Sequence, residues 1–362
     1  MLQCGGGTLG QDRVPCTNHL ANREPMPSVT LHLVLADRVL ERWQDHPSRA
    51  PFPVDQPILL NAFYQGAFGP DLGYFPGGYR LLSDLSHLVR SGDLTRALVR
   101  NAGNPLERAF AWGWVTHVLG DQAIHPLVGQ GVGEFLFGDR RLFVDGARNQ
   151  AAHVQVETGL DAFYSHLFPR LRQRTMAPVF HGSSIRFLVD AYRETYRLAI
   201  DPTLLLSSHL AVARMSVQAL VSIGVMSTAF LAGPVTPFFV GARRVLRQAL
   251  TLVQTGFGGE SLLMAYLNPV PPAEWLVEKV GEVVEGFADH FWRHYETGLE
   301  DLENVNLDTG QLEESPVRHP GTVKTLRILS RWRGCGLPAQ GDGGLPGGTG
   351  SRPPVFPATA HG

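Results

Sequence analysis

Three side chains able to hold a metal ion stand four residues apart in WGWVTHVLGDQAIHP: His117, Asp121 and His125. Residues at i and i+4 share a helical face, so on one continuous helix all three side chains point at one volume. A second segment, HVQVETGLD, offers His153 and Glu157 at the same interval. Carboxylates and imidazoles on facing helices of a bundle are a recurrent way to hold two metal ions. Nitrogen and oxygen donors without thiolate suit zinc. Burying these groups among Trp112, Trp114, Val118, Leu119, Ile124 and Val154 is costly unless they are metal-bound or paired with one another. An ion-pair network is the alternative arrangement that tolerates buried charge. A further pair at helical spacing, His290 and His294, lies among charged residues with no partner pair and reads as a solvated helix face.

The elements that must position these groups read as helices. Leu31, Val34, Leu35, Val39 and Leu40 recur at helical spacing, with Asp37, Arg38, Glu41 and Arg42 opposite. Prolines 47, 51, 53 and 57 then interrupt the pattern, and NAFYQGAFGPDLGYFPGGYR, rich in glycine and aromatics, reads as a packed loop that delivers Asp71. Tyr64, Phe68, Tyr74 and Phe75 flank Asp71, either as packing or as the wall of an apolar cleft. Helices are expected over 81–89, 106–118, 147–167, 185–200, 204–221 and 275–299. Strand alternation is almost absent, so the fold class is all-α. No internal repeat is visible.

The pieces GAFGPDLGYF, SDLSH, GWVTHVLGDQAIHP and HVQVETGLD, in this order between His32 and Asp161, resemble the zinc-dependent phospholipase C family. That family includes the catalytic domain of glycosylphosphatidylinositol-specific phospholipase D. The resemblance implies a multi-helix bundle like phospholipase C and P1 nuclease, with a di- or trinuclear zinc site in its core. It assigns His87, His117 and Asp121 to one Zn2+ ion and His125, His153 and Glu157 to a second. His32 falls where the family has its early histidine, and Asp71 where it has a loop carboxylate that ligates metal or acts as the catalytic base. The implied activity is hydrolysis of a phosphodiester by metal-activated water, with phospholipid as substrate. Asp161, one turn beyond Glu157, would orient a ligand histidine or be solvated. The chain departs from the secreted bacterial phospholipases in two ways. No Trp precedes His32 to serve a third zinc, and its Asp-to-His interval of four residues is shorter, as in the phospholipase D branch.

Composition limits the remaining readings. With Lys+Arg 31 against Asp+Glu 33, the chain has no basic field of the kind that drives generic nucleic-acid binding. Cys4, Cys16 and Cys335 lie in the Gly-rich ends, so no disulfide framework is expected. Residues 1–26 lack the apolar run of a secretory signal and read as a tail, and 334–362, rich in Gly and Pro, read as disordered. Between them, 27–333 reads as one catalytic domain, with the ligands within about 30–165 and additional helices over 183–333. The stretch from Met215 to Ala242 carries Asp, Glu and Lys nowhere and Arg nowhere, but Gly224, Gly233, Pro234 and Pro237 break it. It reads as a buried helix and apolar loop, or as a peripheral membrane contact, rather than as a span. The expected location is cytoplasmic or peripheral to a membrane. Two rivals remain: a nuclease or nucleotidase of the same zinc architecture, and a non-catalytic metal-binding, membrane-associated protein.

Overall fold

The computed structural model describes residues 29–74, 78–173, 178–210, 265, 269–315 and 318–332. Its architecture follows from one long helix, α5 (Pro105–Phe137), buried at most positions from Ala109 to Gly133. A helix apolar on all sides must be surrounded, and α1 (Val29–Asp45), α2 (Pro57–Gly66), α4 (Ser91–Asn101), α6 (Gln150–Leu167) and α8 (Glu274–Glu296) all pack on it. The start of α5 is fixed by a capping box, in which Asn104 accepts from the Glu107 N–H and Glu107 reaches back, with Pro105 in the first turn. Its end is set by Gly138, at φ 70°, a left-handed cap that favours glycine. Pro126 sits inside the helix, next to His125.

The closest helix contact is between α2 and α5. A Cβ at Gly113 would lie 1.9 Å from the Phe63 carbonyl oxygen, and one at Gly66 would lie 2.0 Å from the Phe110 carbonyl oxygen. The two backbones therefore approach where only hydrogen occupies the side-chain position. The remaining helices, α3 (Arg80–Leu88), α7 (Arg186–Tyr196) and α9 (Pro320–Trp332), complete a shell in which buried apolar residues from Leu31 to Leu329 form one continuous cluster. The strand content among the described residues is one antiparallel hairpin, β1 (Val305–Asn306) with β2 (Gln311–Leu312), in register Val305 to Leu312.

The all-α expectation is met. The predicted loop over 61–80 is corrected: its first residues belong to α2, which Pro57 begins, and Asp71 follows in a 3-10 turn, Pro70–Gly73. Proline at a first helical position starts a helix instead of breaking it. Helix α6 starts at Gln150 rather than Ala147, because Asn149 accepts the Ala152 N–H and caps it there. Helix α5 runs well past Val118. The stretch 215–242 and the segments 1–26 and 334–362 lie outside the described residues. Among the described residues no helix is long and apolar enough to cross a membrane.

Candidate metal centre

Four helices and one turn bring eight of the sequence-selected side chains together, all buried. His32 comes from α1, Asp71 from the 3-10 turn, His87 from α3, His117, Asp121 and His125 from α5, and His153 and Glu157 from α6. Asp121 is the hinge of the group. Its carboxylate lies 3.0 Å from His117 Nε2, 3.4 Å from His87 Nε2, 3.4 Å from His32 Nε2 and 3.5 Å from His125 Nε2. Glu157 Oε1 in turn lies 3.3 Å from His125 Nε2 and 3.2 Å from His153 Nε2. Asp71 Oδ1 is 3.2 Å from His87 Nε2. His32 stacks on His117 with ring centroids 4.0 Å apart. These atoms fall into three groups that could each hold an ion, the first two sharing His117: His32, His117 and Asp121; Asp71, His87 and His117; and His125, His153 and Glu157.

The backbone fixes which nitrogens face the centre. His87 Nδ1 is 2.9 Å from the Ser83 carbonyl oxygen, and His117 Nδ1 is 2.9 Å from the Ala67 carbonyl oxygen. A carbonyl only accepts, so both Nδ1 atoms carry hydrogen, and in the neutral rings both Nε2 atoms turn a lone pair inwards. Those two Nε2 atoms lie 3.3 Å apart, beside carboxylates. Lone pair facing lone pair requires a cation or a proton between them. The donor set and its spacing fit zinc: ligands about 2.0–2.1 Å from a tetrahedral ion stand about 3.3 Å from one another, and the separations above run from 3.0 to 3.5 Å. Both oxygens of Asp71 and Oδ2 of Asp121 are buried with no hydrogen-bond partner, a cost that coordination would remove.

Electrostatics in the metal-free chain follow from this crowding. Burial opposes the charged form of His125, yet Asp121 and Glu157 outweigh it and raise its pKa to about 10. His87 is likewise held well above the ordinary imidazole value, against burial, by Asp121 and Asp71. His32 goes the other way, to about 4, because burial and the neighbouring His117 both disfavour its charge. Burial would raise the carboxylates, but the surrounding imidazoles hold Asp121 well below its usual range and Glu157 below its own.

A cleft of about 360 Å³ opens onto the cluster, lined by Asp71, His87, His125, His153 and Glu157 on one side and by Tyr74, Arg80, Asp84, Asp308, His319 and Lys324 elsewhere. Of the flanking aromatics, Tyr64 and Phe68 are core: the Tyr64 hydroxyl donates to Asp37 at 2.7 Å, and Phe68 packs edge-on to His32. Tyr74 lines the cleft and packs on His87. Phe75 lies outside the described residues. Asp161 is buried rather than solvated. Its Oδ1 accepts the N–H groups of Thr30 and Leu31, fixing the first turn of α1 just before His32. His290 and His294 stand apart on α8, half-buried, with His294 Nδ1 3.0 Å from Asp301. Asp84, one turn before His87, bonds Arg80 and Tyr74 rather than the cluster.

The residues that sequence reasoning missed come from the C-terminal part of the chain. Asp308 Oδ1 stands 3.9 Å from His125 Nδ1, and the buried pair His319 and Asp145, 3.5 Å apart, ties the start of α9 to the segment between α5 and α6. The NLDTG stretch around Asp308 signals a turn, but nothing in its local spacing points to His125.

The model of the zinc-dependent phospholipase C family matches residues 31–197. No curated protein and no solved structure matches the chain. All eight clustered side chains, from His32 to Glu157, fall inside the matched stretch, so the cluster-bearing segment of the chain is the part similar to the zinc-dependent phospholipase C family.

Proposed function

We propose that the chain hydrolyses the phosphodiester of phospholipid headgroups, as a phospholipase C-type enzyme, from a single catalytic domain spanning 27–333. The observation that carries the reading is the donor geometry: buried imidazole and carboxylate atoms held at the mutual spacing of zinc ligands beside a cleft of about 360 Å³. His87, His117 and Asp121, within 3.0–3.4 Å of one another, would hold one ion with Asp71 and His32 beside them, and His125, His153 and Glu157 a second. When bound, zinc polarises phosphoryl oxygens and lowers the pKa of water towards neutrality.

The chain's own residues do the rest. The Ser83 and Ala67 carbonyls hold two imidazoles in one tautomer, so their lone pairs need no reorganisation. Asp71 both faces the imidazoles and lines the cleft, so one oxygen serves the metal and the other takes the proton of the attacking water. That water's oxygen bonds to phosphorus as the bond to the leaving oxygen breaks, and the proton taken by Asp71 passes to the leaving oxygen, which departs as an alcohol. Tyr74 presents an aromatic wall beside His87, where it excludes water from the reacting phosphate.

The test is a parallel panel. Zinc-loaded protein is assayed on phosphatidylcholine and phosphatidylinositol vesicles and on single-stranded nucleic acid, with metal content measured by emission spectrometry. Two bound zincs, with phospholipid turnover abolished by chelator and restored by zinc, is the expected result. A folded chain that takes up no zinc sinks the proposal, and faster turnover of nucleic acid transfers the site to a nuclease.

A further inference from the structure

The five imidazoles of the cluster are not held alike. His87 and His117 each have Nδ1 fixed by a backbone carbonyl. His125 has no such support: its Nε2 faces Asp121 and Glu157, while its Nδ1 is buried with no hydrogen-bond partner. The acidic oxygen in front of that Nδ1 is Oδ1 of Asp308, 3.9 Å away. Asp308 is a quarter exposed and lines the cleft.

Asp308 is not a passing surface residue, because the hairpin that bears it is anchored on both sides of the centre. The Leu307 N–H donates to the carbonyl of His87 at 2.8 Å, and Ser91 Oγ donates to the Val305 carbonyl at 2.7 Å. Asn306 binds Thr322, whose hydroxyl donates to the Leu88 carbonyl. The Asp308 N–H is held by Asn306 Oδ1 at 3.0 Å. On the other side Gly310, at φ 67°, lies so close to Pro126 that a Cβ there would be 2.9 Å from Pro126 Cγ. The hairpin is therefore clamped to the helix of His87 and to the residue next to His125.

We infer that Asp308 is a positioning residue for His125: its carboxylate receives the Nδ1 hydrogen and so fixes the Nε2 lone pair on the metal side. The inference rests on the zinc reading of the site. An imidazole whose Nε2 engages a cation becomes a stronger donor at Nδ1, which draws the carboxylate in from 3.9 Å. A carboxylate at this position also makes the ring a better ligand than a carbonyl would. The group comes from outside residues 31–197, so the C-terminal part of the chain would complete the surroundings of the ion assigned to His125, His153 and Glu157.

The test measures zinc affinity of the full chain by chelator competition for the wild type, Asp308→Ala and Asp308→Asn, together with thermal unfolding of each metal-free form. Asp308→Ala is expected to weaken one of the two zincs by about 10- to 100-fold with an unchanged metal-free unfolding midpoint. Asp308→Asn keeps an acceptor oxygen and is expected to recover most of the loss. Equal affinity in Asp308→Ala and wild type overturns the inference and leaves the zinc reading intact. So does a weakening that Asn fails to rescue and that tracks a lowered metal-free midpoint. A wild-type chain without zinc overturns both.

Discussion

The two halves of the cluster are built on different terms. The inner half, His32, His87, His117, Asp71 and Asp121, draws on three helices and a turn, and two of its imidazoles are locked by backbone carbonyls. The outer half, His125, His153 and Glu157, uses only α5 and α6, opens on the cleft, and leaves Nδ1 of both histidines without a hydrogen-bond partner. Two inner imidazoles are preset by backbone carbonyls, whereas neither outer imidazole has its Nδ1 fixed by a hydrogen bond. If two ions bind as proposed, the inner one would be the structural half of the pair and the outer one the half that exchanges with solution.

The largest expected effect separates the halves directly. His117 belongs to both inner donor groups, so His117→Ala should cost the inner ion and lower phosphodiester turnover by at least about a thousandfold, the weight of several kcal/mol of metal-derived stabilisation. His153→Ala should remove the outer ion alone. Chelator competition on the zinc each variant keeps checks this: the ion left in His153→Ala should exchange more slowly than the one left in His117→Ala, and equal rates would erase the distinction. Next in size is the pH dependence of metal uptake. In the metal-free chain His125 has its pKa raised to about 10, so it is protonated across neutral pH and zinc must displace that proton. Affinity for the outer ion should rise by up to about tenfold per pH unit between pH 6 and 9 and level off above the pKa. Chelator competition across this range, with a flat profile, would refute it. The smallest effect tests how the inner half is held. Gly113→Ala places a Cβ against the Phe63 carbonyl and within 3.0 Å of the Ala67 nitrogen, which should push α2 off α5 and disturb the carbonyl that orients His117. Overpacking of about 1–3 kcal/mol lowers the unfolding midpoint by roughly 2–10 °C, and zinc loss should be confined to the inner half.

What could be read from sequence divides along the range of the interactions. His117, Asp121 and His125 were legible because a helix repeats locally, and His153 with Glu157 for the same reason. His32, Asp71 and His87 carry no such local signal; family resemblance selected them, and the structure brings them to the cluster. Helix α2 was missed because Pro57 at its start and Gly66 at its end looked like loop composition, although proline in a first turn and glycine at a tight crossing are both compatible with helix. Helix α4 offers only Leu94, Ala97 and Leu98 as buried apolar positions, too few for a period to show. Asp308 was invisible because its partner is set by tertiary anchoring of a short hairpin, not by any pattern around it.

The hairpin also sets an order of events. During synthesis His32 is made before α5, the α5 triplet can align as soon as that helix forms, and the hairpin that docks on the His87 carbonyl emerges more than a hundred residues after α6. Closing so long a loop is slow compared with forming a helix. A nascent chain thus displays paired metal donors well before the cleft around them is closed. Final zinc occupancy then becomes a record of completed folding, and a chain arrested before residue 305 would expose a half-built site to whatever ion reached it first.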